Sequence, residues 1–126
     1  MIIFVKDNFI TKQQCDWAIK TYKRNKNKAK LFRDVYPLEV PLEKIHIKLN
    51  KKSLELNNSE IDWAEIVRWP VGSNQPLHFD NAKENTILAS IVYLNDKFDG
   101  GQTYFENGRV VKPKTGRALF FDGKYF

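Results

Sequence analysis

The chain is poor in the residues that make covalent and metal staples. Its one cysteine, Cys15, excludes a disulfide within the chain and a thiolate zinc site. Only two histidines, His46 and His78, are available for metal or acid–base chemistry. No apolar run approaches the length of a membrane span. The opening Met1-Ile2-Ile3-Phe4-Val5-Lys6-Asp7 is too short, and too soon charged, to read as a signal peptide. These absences predict a soluble, cytoplasmic protein with no membrane partner. Acids are fewer than bases, giving a net charge of +6, and the run Lys20 to Lys30 holds five Lys and one Arg. Such a run could attract a polyanion, but its ordinary reading is a solvated helix end. Nucleic acid is not an expected partner.

What is present is a globular composition. Apolar residues make up 42% and aromatics 13% of 126 residues, enough for one domain, 1–126, with its own core. The aromatic content favours a β-rich interior. Ile2 to Val5 reads as a strand. Thr11 and Gln14 have capping-box spacing, and Cys15, Ala18, Ile19 and Tyr22 share one helical face, predicting a helix over Lys12–Arg24. Cys15 is then a core residue. Ile45, Ile47 and Leu49 alternate with polar residues, predicting a strand over Leu42–Leu49 with His46 on its surface side. A second strand is expected over Ile61–Trp69, with Ile61, Trp63 and Ile66 inward. Thr86 to Leu94 is nearly all apolar and predicts a strand buried on both faces. Asn107-Gly108 signals a hairpin, Pro113 to Gly116 a second turn, and Arg117 to Phe121 a last strand. Many short strands with frequent turns point to a sandwich or barrel.

The chemistry concentrates between Trp69 and Phe105. In extended backbone, His78 and Asp80 are two residues apart and share a face. An imidazole beside a carboxylate supplies two thirds of the facial triad that holds non-haem Fe(II). Asp80 could instead cap a turn, and Gly100-Gly101 could serve only a tight bend.

The order of the pieces is more specific than any one of them. Trp69-Pro70-Val71-Gly72 precedes His78-Phe79-Asp80; Tyr93-Leu94-Asn95 ends an apolar run; Gly100-Gly101-Gln102-Thr103-Tyr104-Phe105, Pro113 to Gly116 and Leu119-Phe120-Phe121 follow. This series, from about Ile61 onward, resembles the iron- and 2-oxoglutarate-dependent dioxygenases, in particular their prolyl 4-hydroxylase-like branch. The resemblance implies a double-stranded β-helix, or jelly roll, with a supporting N-terminal helix. It makes His78 and Asp80 the first two iron ligands. Tyr93 matches a position whose hydroxyl reaches the far carboxylate of 2-oxoglutarate, and Thr103 a position lining the same pocket. Both could equally be packing residues. Trp69 stands where the family often has Tyr, keeping a bulky wall but no phenol. Fe(II) and the cosubstrates 2-oxoglutarate and O2 are implied, with ascorbate as an accessory reductant. The implied substrate is a prolyl residue of a peptide or protein.

The resemblance also calls for a second His just after Arg117–Phe121, and a basic residue about ten positions beyond it to pair with 2-oxoglutarate. Neither falls within the 126 residues. The expectation is a C-terminally incomplete jelly roll, with the third ligand and the carboxylate anchor unassigned. The alternative reading is an inactive jelly-roll module that acts through a strand edge or a partner.

Overall fold

The computed structural model describes residues 3–32, 35–58, 60–61, 64–73, 75 and 88–122. His78, Asp80 and Trp63 lie outside the described residues. The chain forms two compact units, one from residues 1–15 and 76–126, the other from residues 16–75.

The first unit is built on an antiparallel sheet. Its strands are β1 (Ile3–Lys6), β4 (Leu88–Val92) and β7 (Ala118–Asp122), in the order β1-β7-β4. The sequence puts a strand at each place, but the central one is not the one expected. Ala118, Leu119, Phe120 and Phe121 are at most 1% exposed, so it is β7 that is buried on both faces. The expectation for Thr86–Leu94 is corrected: β4 is half-buried, and Ser90 is exposed. Among the described residues β4 pairs with β7 alone, and one-sided pairing leaves it closer to solvent. One face of β7 carries Leu119 and Phe121, packed with Phe105 and Val111. The other carries Phe120, whose ring meets Phe4 and Phe9. A hairpin of β5 (Thr103–Tyr104) and β6 (Val110–Val111) supplies Phe105 and Val111. Its turn is the Asn107-Gly108 turn expected: Gly108 N–H donates to Phe105 O, and Gly108 takes φ 88°.

In the second unit, β2 (Tyr36–Leu38) pairs antiparallel with β3 (Ile66–Arg68). The strand expected over Ile61–Trp69 is thus shorter in its described part. Helix α1 (Lys12–Arg24) runs across the boundary between the units and has the predicted ends. Both arms of its capping box form: Gln14 N–H donates to Thr11 Oγ1 at 3.0 Å, and Thr11 N–H to Gln14 Oε1 at 2.9 Å. Cys15, Ala18 and Tyr22 are its buried face. Tyr22 OH donates to Tyr36 O at 2.9 Å, tying the helix to β2.

The strand expected over Leu42–Leu49 is a helix instead, α2 (Lys44–Asn57). Ile45 and Leu49 are four apart, a spacing that satisfies both periods. Ile47 decides between them. It is 66% exposed, while Ile45, Leu49 and Ser53 form the buried stripe at i, i+4 and i+8. Asn58 ends the helix in left-handed backbone and donates its N–H to Leu54 O.

Candidate active site

The three-stranded sheet presents one face in step to the core. Ile3, Phe121 and Ala89 are in register across it, and Val5, Leu119 and Ile91 are the next rung. All six pack in one cluster with Phe105, Val111 and Tyr93. The ladder runs one rung further. Tyr93 N–H donates to Arg117 O at 2.9 Å, and Gly116 N–H donates to Tyr93 O at 2.9 Å. Across β1 and β7, Arg117 Nε donates to Asp7 Oδ1 at 2.6 Å and Nη2 to Asp7 Oδ2 at 3.3 Å. Side chains two apart on a strand share a face, so Asp7, Arg117 and Tyr93 continue the two apolar rungs. The third rung is polar, and it lies at the end of the sheet where the β5–β6 hairpin brings Thr103.

Tyr93 and Thr103 meet there. Tyr93 OH and Thr103 Oγ1 share a hydrogen bond at 2.5 Å, with Thr103 buried and Tyr93 partly so. Two hydroxyls bring two protons, and their mutual bond uses one. The second proton remains for an acceptor, and no acceptor for it appears among the described residues. Burial pushes the Tyr93 phenol above its usual range; the bond to Thr103 and the positive charge of Arg117 work against that rise. Tyr93 is therefore a neutral donor at ordinary pH.

Arg117 is locked from several sides. Besides Asp7, its Nη1 donates to Lys112 O at 2.8 Å. Hydrogen bonding to Arg117, with Lys114 contributing less, holds the Asp7 carboxyl below the usual carboxylate range. The same bond raises the Arg117 guanidinium. Neither residue was among the expected site residues. The signal was present: Ile3, Val5 and Asp7 continue one alternation, as do Phe121, Leu119 and Arg117.

Of the other expected site residues, His78 and Asp80 lie outside the described residues. Trp69 belongs to the other unit, directly after β3, and is 53% exposed. His46 is exposed on α2, at the rim of a cleft of about 580 Å³ with Glu39 and Glu43. Among the described residues no group of three or more His, Cys, Asp or Glu could hold a metal ion. His78 and Asp80, the ligands expected from the residue series, lie outside those residues.

The geometry so far defines a class: mixed helix and antiparallel sheet, with a polar rung closing an apolar interior. No family model matches the chain. Solved structures do. The viral collagen prolyl hydroxylase of Paramecium bursaria Chlorella virus-1, in complex with 2-oxoglutarate, superposes with a TM-score of 0.73 over 100% of this chain and 83% of its own, at 22% identity. A truncated form of that enzyme gives 0.69 over 100% and 77%, at 21% identity. The chain thus has the fold of a prolyl hydroxylase. A curated protein of Acanthamoeba polyphaga mimivirus, whose name gives it as a prolyl 4-hydroxylase, is 44% identical over 50 residues, 39% of this chain. The match spans about a fifth of that relative, 21% of its length. The resemblance to the prolyl 4-hydroxylase-like branch, read from the residue series, is borne out by these matches.

Proposed function

We propose that the protein is an Fe(II)- and 2-oxoglutarate-dependent oxygenase that hydroxylates a prolyl residue of a peptide or protein. In this reading the sheets are part of a jelly roll, and 1–126 is one oxygenase domain. The observation that carries it is the Tyr93–Thr103 hydroxyl pair, at the end of an otherwise apolar interior, with one proton left to donate. A carboxylate oxygen is the acceptor that such a donor takes most strongly. The solved neighbour's title names a 2-oxoglutarate complex, which supports the choice of acid.

His78 and Asp80 are the proposed iron ligands, an imidazole and a carboxylate suited to Fe(II). When bound by these residues, iron would let O2 act as the oxidant, one oxygen atom entering succinate as 2-oxoglutarate loses CO2 and the other entering the C–H bond as hydroxyl. The chain's own contribution is placement. Tyr93 and Thr103 orient the distal carboxylate. The backbone bonds from Gly116 and to Arg117 fix where the Tyr93 ring projects. The apolar rungs of Ile3, Val5, Ala89 and Ile91 exclude water behind it. Trp69 keeps its assignment as a pocket wall from the residue series alone. Cys15, buried and in no disulfide, fits a reducing compartment such as the cytoplasm.

The test supplies Fe(II), 2-oxoglutarate, ascorbate, O2 and a proline-rich peptide, and follows succinate formation and a mass gain of one oxygen atom on the peptide. Succinate that disappears in His78→Ala and Asp80→Ala supports the reading. Failure to bind 2-oxoglutarate, with no succinate at any peptide concentration, sinks it. A second reading, a module without catalysis, is favoured by β4, which among the described residues is paired on one side only. Cross-chain strand pairing in a solution dimer that is catalytically silent would select it.

A further inference from the structure

Among the described residues, the run Lys20 to Lys30 is a series of exposed cations without an acid partner. Lys20, Lys23, Arg24, Lys26, Lys28 and Lys30 are all exposed, and no acid occurs between Asp16 and Asp34. A sequence cannot say whether acids from elsewhere fold back onto such a run. Among the described residues none does: the ion pairs are Lys52–Glu55, Lys114–Asp7 and Arg117–Asp7, and none of the six side chains has a hydrogen bond or ion pair.

The run is also shaped. Lys20, Lys23 and Arg24 stand at i, i+3 and i+4 on α1, opposite the buried Cys15, Ala18 and Tyr22. A single 3-10 turn, Lys26–Lys28, continues it, with Lys28 N–H donating to Asn25 O and Ala29 N–H to Lys26 O. Asn25 Nδ2 donates to Thr21 O at 2.9 Å and fastens the turn to the helix. Leu31 and Phe32 follow, 62% and 58% exposed.

We infer that this segment is a binding surface for the phosphodiester backbone of nucleic acid. A phosphate chain needs cations in series, and here six lie along eleven residues. Five of the six are Lys, which act as point charges and suit contact that ignores base sequence. An anionic bilayer is the weaker fit. A helix that lies in a membrane surface inserts its apolar face, and the apolar face of α1 is already buried.

The test measures binding of the whole protein to a labelled single-stranded RNA and to a duplex DNA of the same length, by fluorescence anisotropy at several salt concentrations. If all six cations engage, the log–log salt slope is roughly −4 on the single strand and −5 on the duplex. A fourfold rise in salt then weakens binding by roughly several hundredfold to a thousandfold. The stronger arm says which form is preferred. Two triple variants separate a surface from mere net charge: Lys26→Gln/Lys28→Gln/Lys30→Gln, and Lys44→Gln/Lys48→Gln/Lys51→Gln on α2. These side chains are exposed, so both variants should fold, which circular dichroism checks. The first should lose tenfold or more in affinity and about half the salt slope, the second under threefold. Equal losses, absence of binding at low salt, or a preference for phosphatidylserine vesicles over both nucleic acids would overturn the inference.

Discussion

Strands β4 and β7 are neighbours of similar composition and very different standing. β4 reads Leu-Ala-Ser-Ile-Val and β7 Ala-Leu-Phe-Phe-Asp. They are hydrogen-bonded along their whole length. Yet the first four residues of β7 are at most 1% exposed, whereas β4 is half-buried throughout with Ser90 exposed. What separates them is company. β7 has β1 on one side and β4 on the other, the Phe105–Val111 cluster on one face and Phe4 and Phe9 on the opposite one. Apolar content makes a strand eligible for burial; its position in the sheet decides whether burial happens.

Matched truncations sharpen that contrast most. Phe121→Ala removes a ring at full burial, in edge contact with Phe105 at 5.3 Å between centroids, and should cost about 3–5 kcal/mol in urea denaturation. Ile91→Ala, one rung away on β4 and half-buried, should cost about half as much. Equal losses would mean that β4 is covered as fully as β7.

The next largest effect tests the joint that ends β7. Gly116 has φ 83°, and a Cβ there would sit 2.6 Å from Ile10 O. Its carbonyl accepts from Phe9 and Ile10 N–H, and its N–H donates to Tyr93 O. Gly116→Ala therefore combines left-handed strain with a backbone collision and should cost about 2–3 kcal/mol. It should also weaken 2-oxoglutarate binding, because Tyr93 is aimed by the same joint. An alanine variant with unchanged melting and unchanged ligand affinity would show the joint to be soft.

These positions also show what the sequence could reveal. Helix α1 was legible to its ends because a cap, a buried stripe and a fading polar run agree. The turns at Asn107-Gly108 and Gly116 were legible because only certain residues take that backbone. The exchange between β4 and β7 was not, since sheet order is a long-range property and both segments are apolar. Helix α2 was hidden by Ile45 and Leu49, which fit either period, with Ile47 as the only discordant residue. In the site, Tyr93 and Thr103 were named from the residue series, and the hydrogen bond between them is the structure's addition. Asp7 and Arg117 were missed, because they are 110 residues apart and meet only through register.

A smaller effect separates polar rung from apolar rung. Tyr93→Phe keeps the ring in its cluster and removes the hydroxyl, leaving Thr103 Oγ1 without its partner. The stability cost should be about 1 kcal/mol. The ligand effect should be larger, about tenfold or more in 2-oxoglutarate affinity, as for loss of a bond to a charged acceptor. Tyr93 also titrates above the ordinary phenol value of 10.0. A group whose acid form is favoured by the fold costs stability once pH passes the unfolded value. Alkaline unfolding above about pH 10 should thus be gentler in Tyr93→Phe than in the parent. A parent phenolate absorbance that rises entirely at the ordinary value would contradict the burial of this hydroxyl.

The smallest expected effect lies at the edge of the same rung, between Asp7 and Arg117. Both are near solvent, so screening keeps the pair's contribution modest. Its sign is still determinate. The Asp7 carboxyl is held below its ordinary 3.8, chiefly by the Arg117 hydrogen bond. A depressed carboxylate adds stability above the unfolded value, and that stability is lost as pH falls through the folded one. The parent should therefore lose stability as pH falls below about 4 more steeply than Asp7→Asn, with the two curves parallel above about pH 5. High salt should bring them together, because the fork from Arg117 is reached by counterions. Parallel acid limbs at low salt would mean that the N-terminal strand is held by Ile3 and Val5 in the core and not by its charged end. The third rung would then be a feature of the site without being a fastening of the sheet.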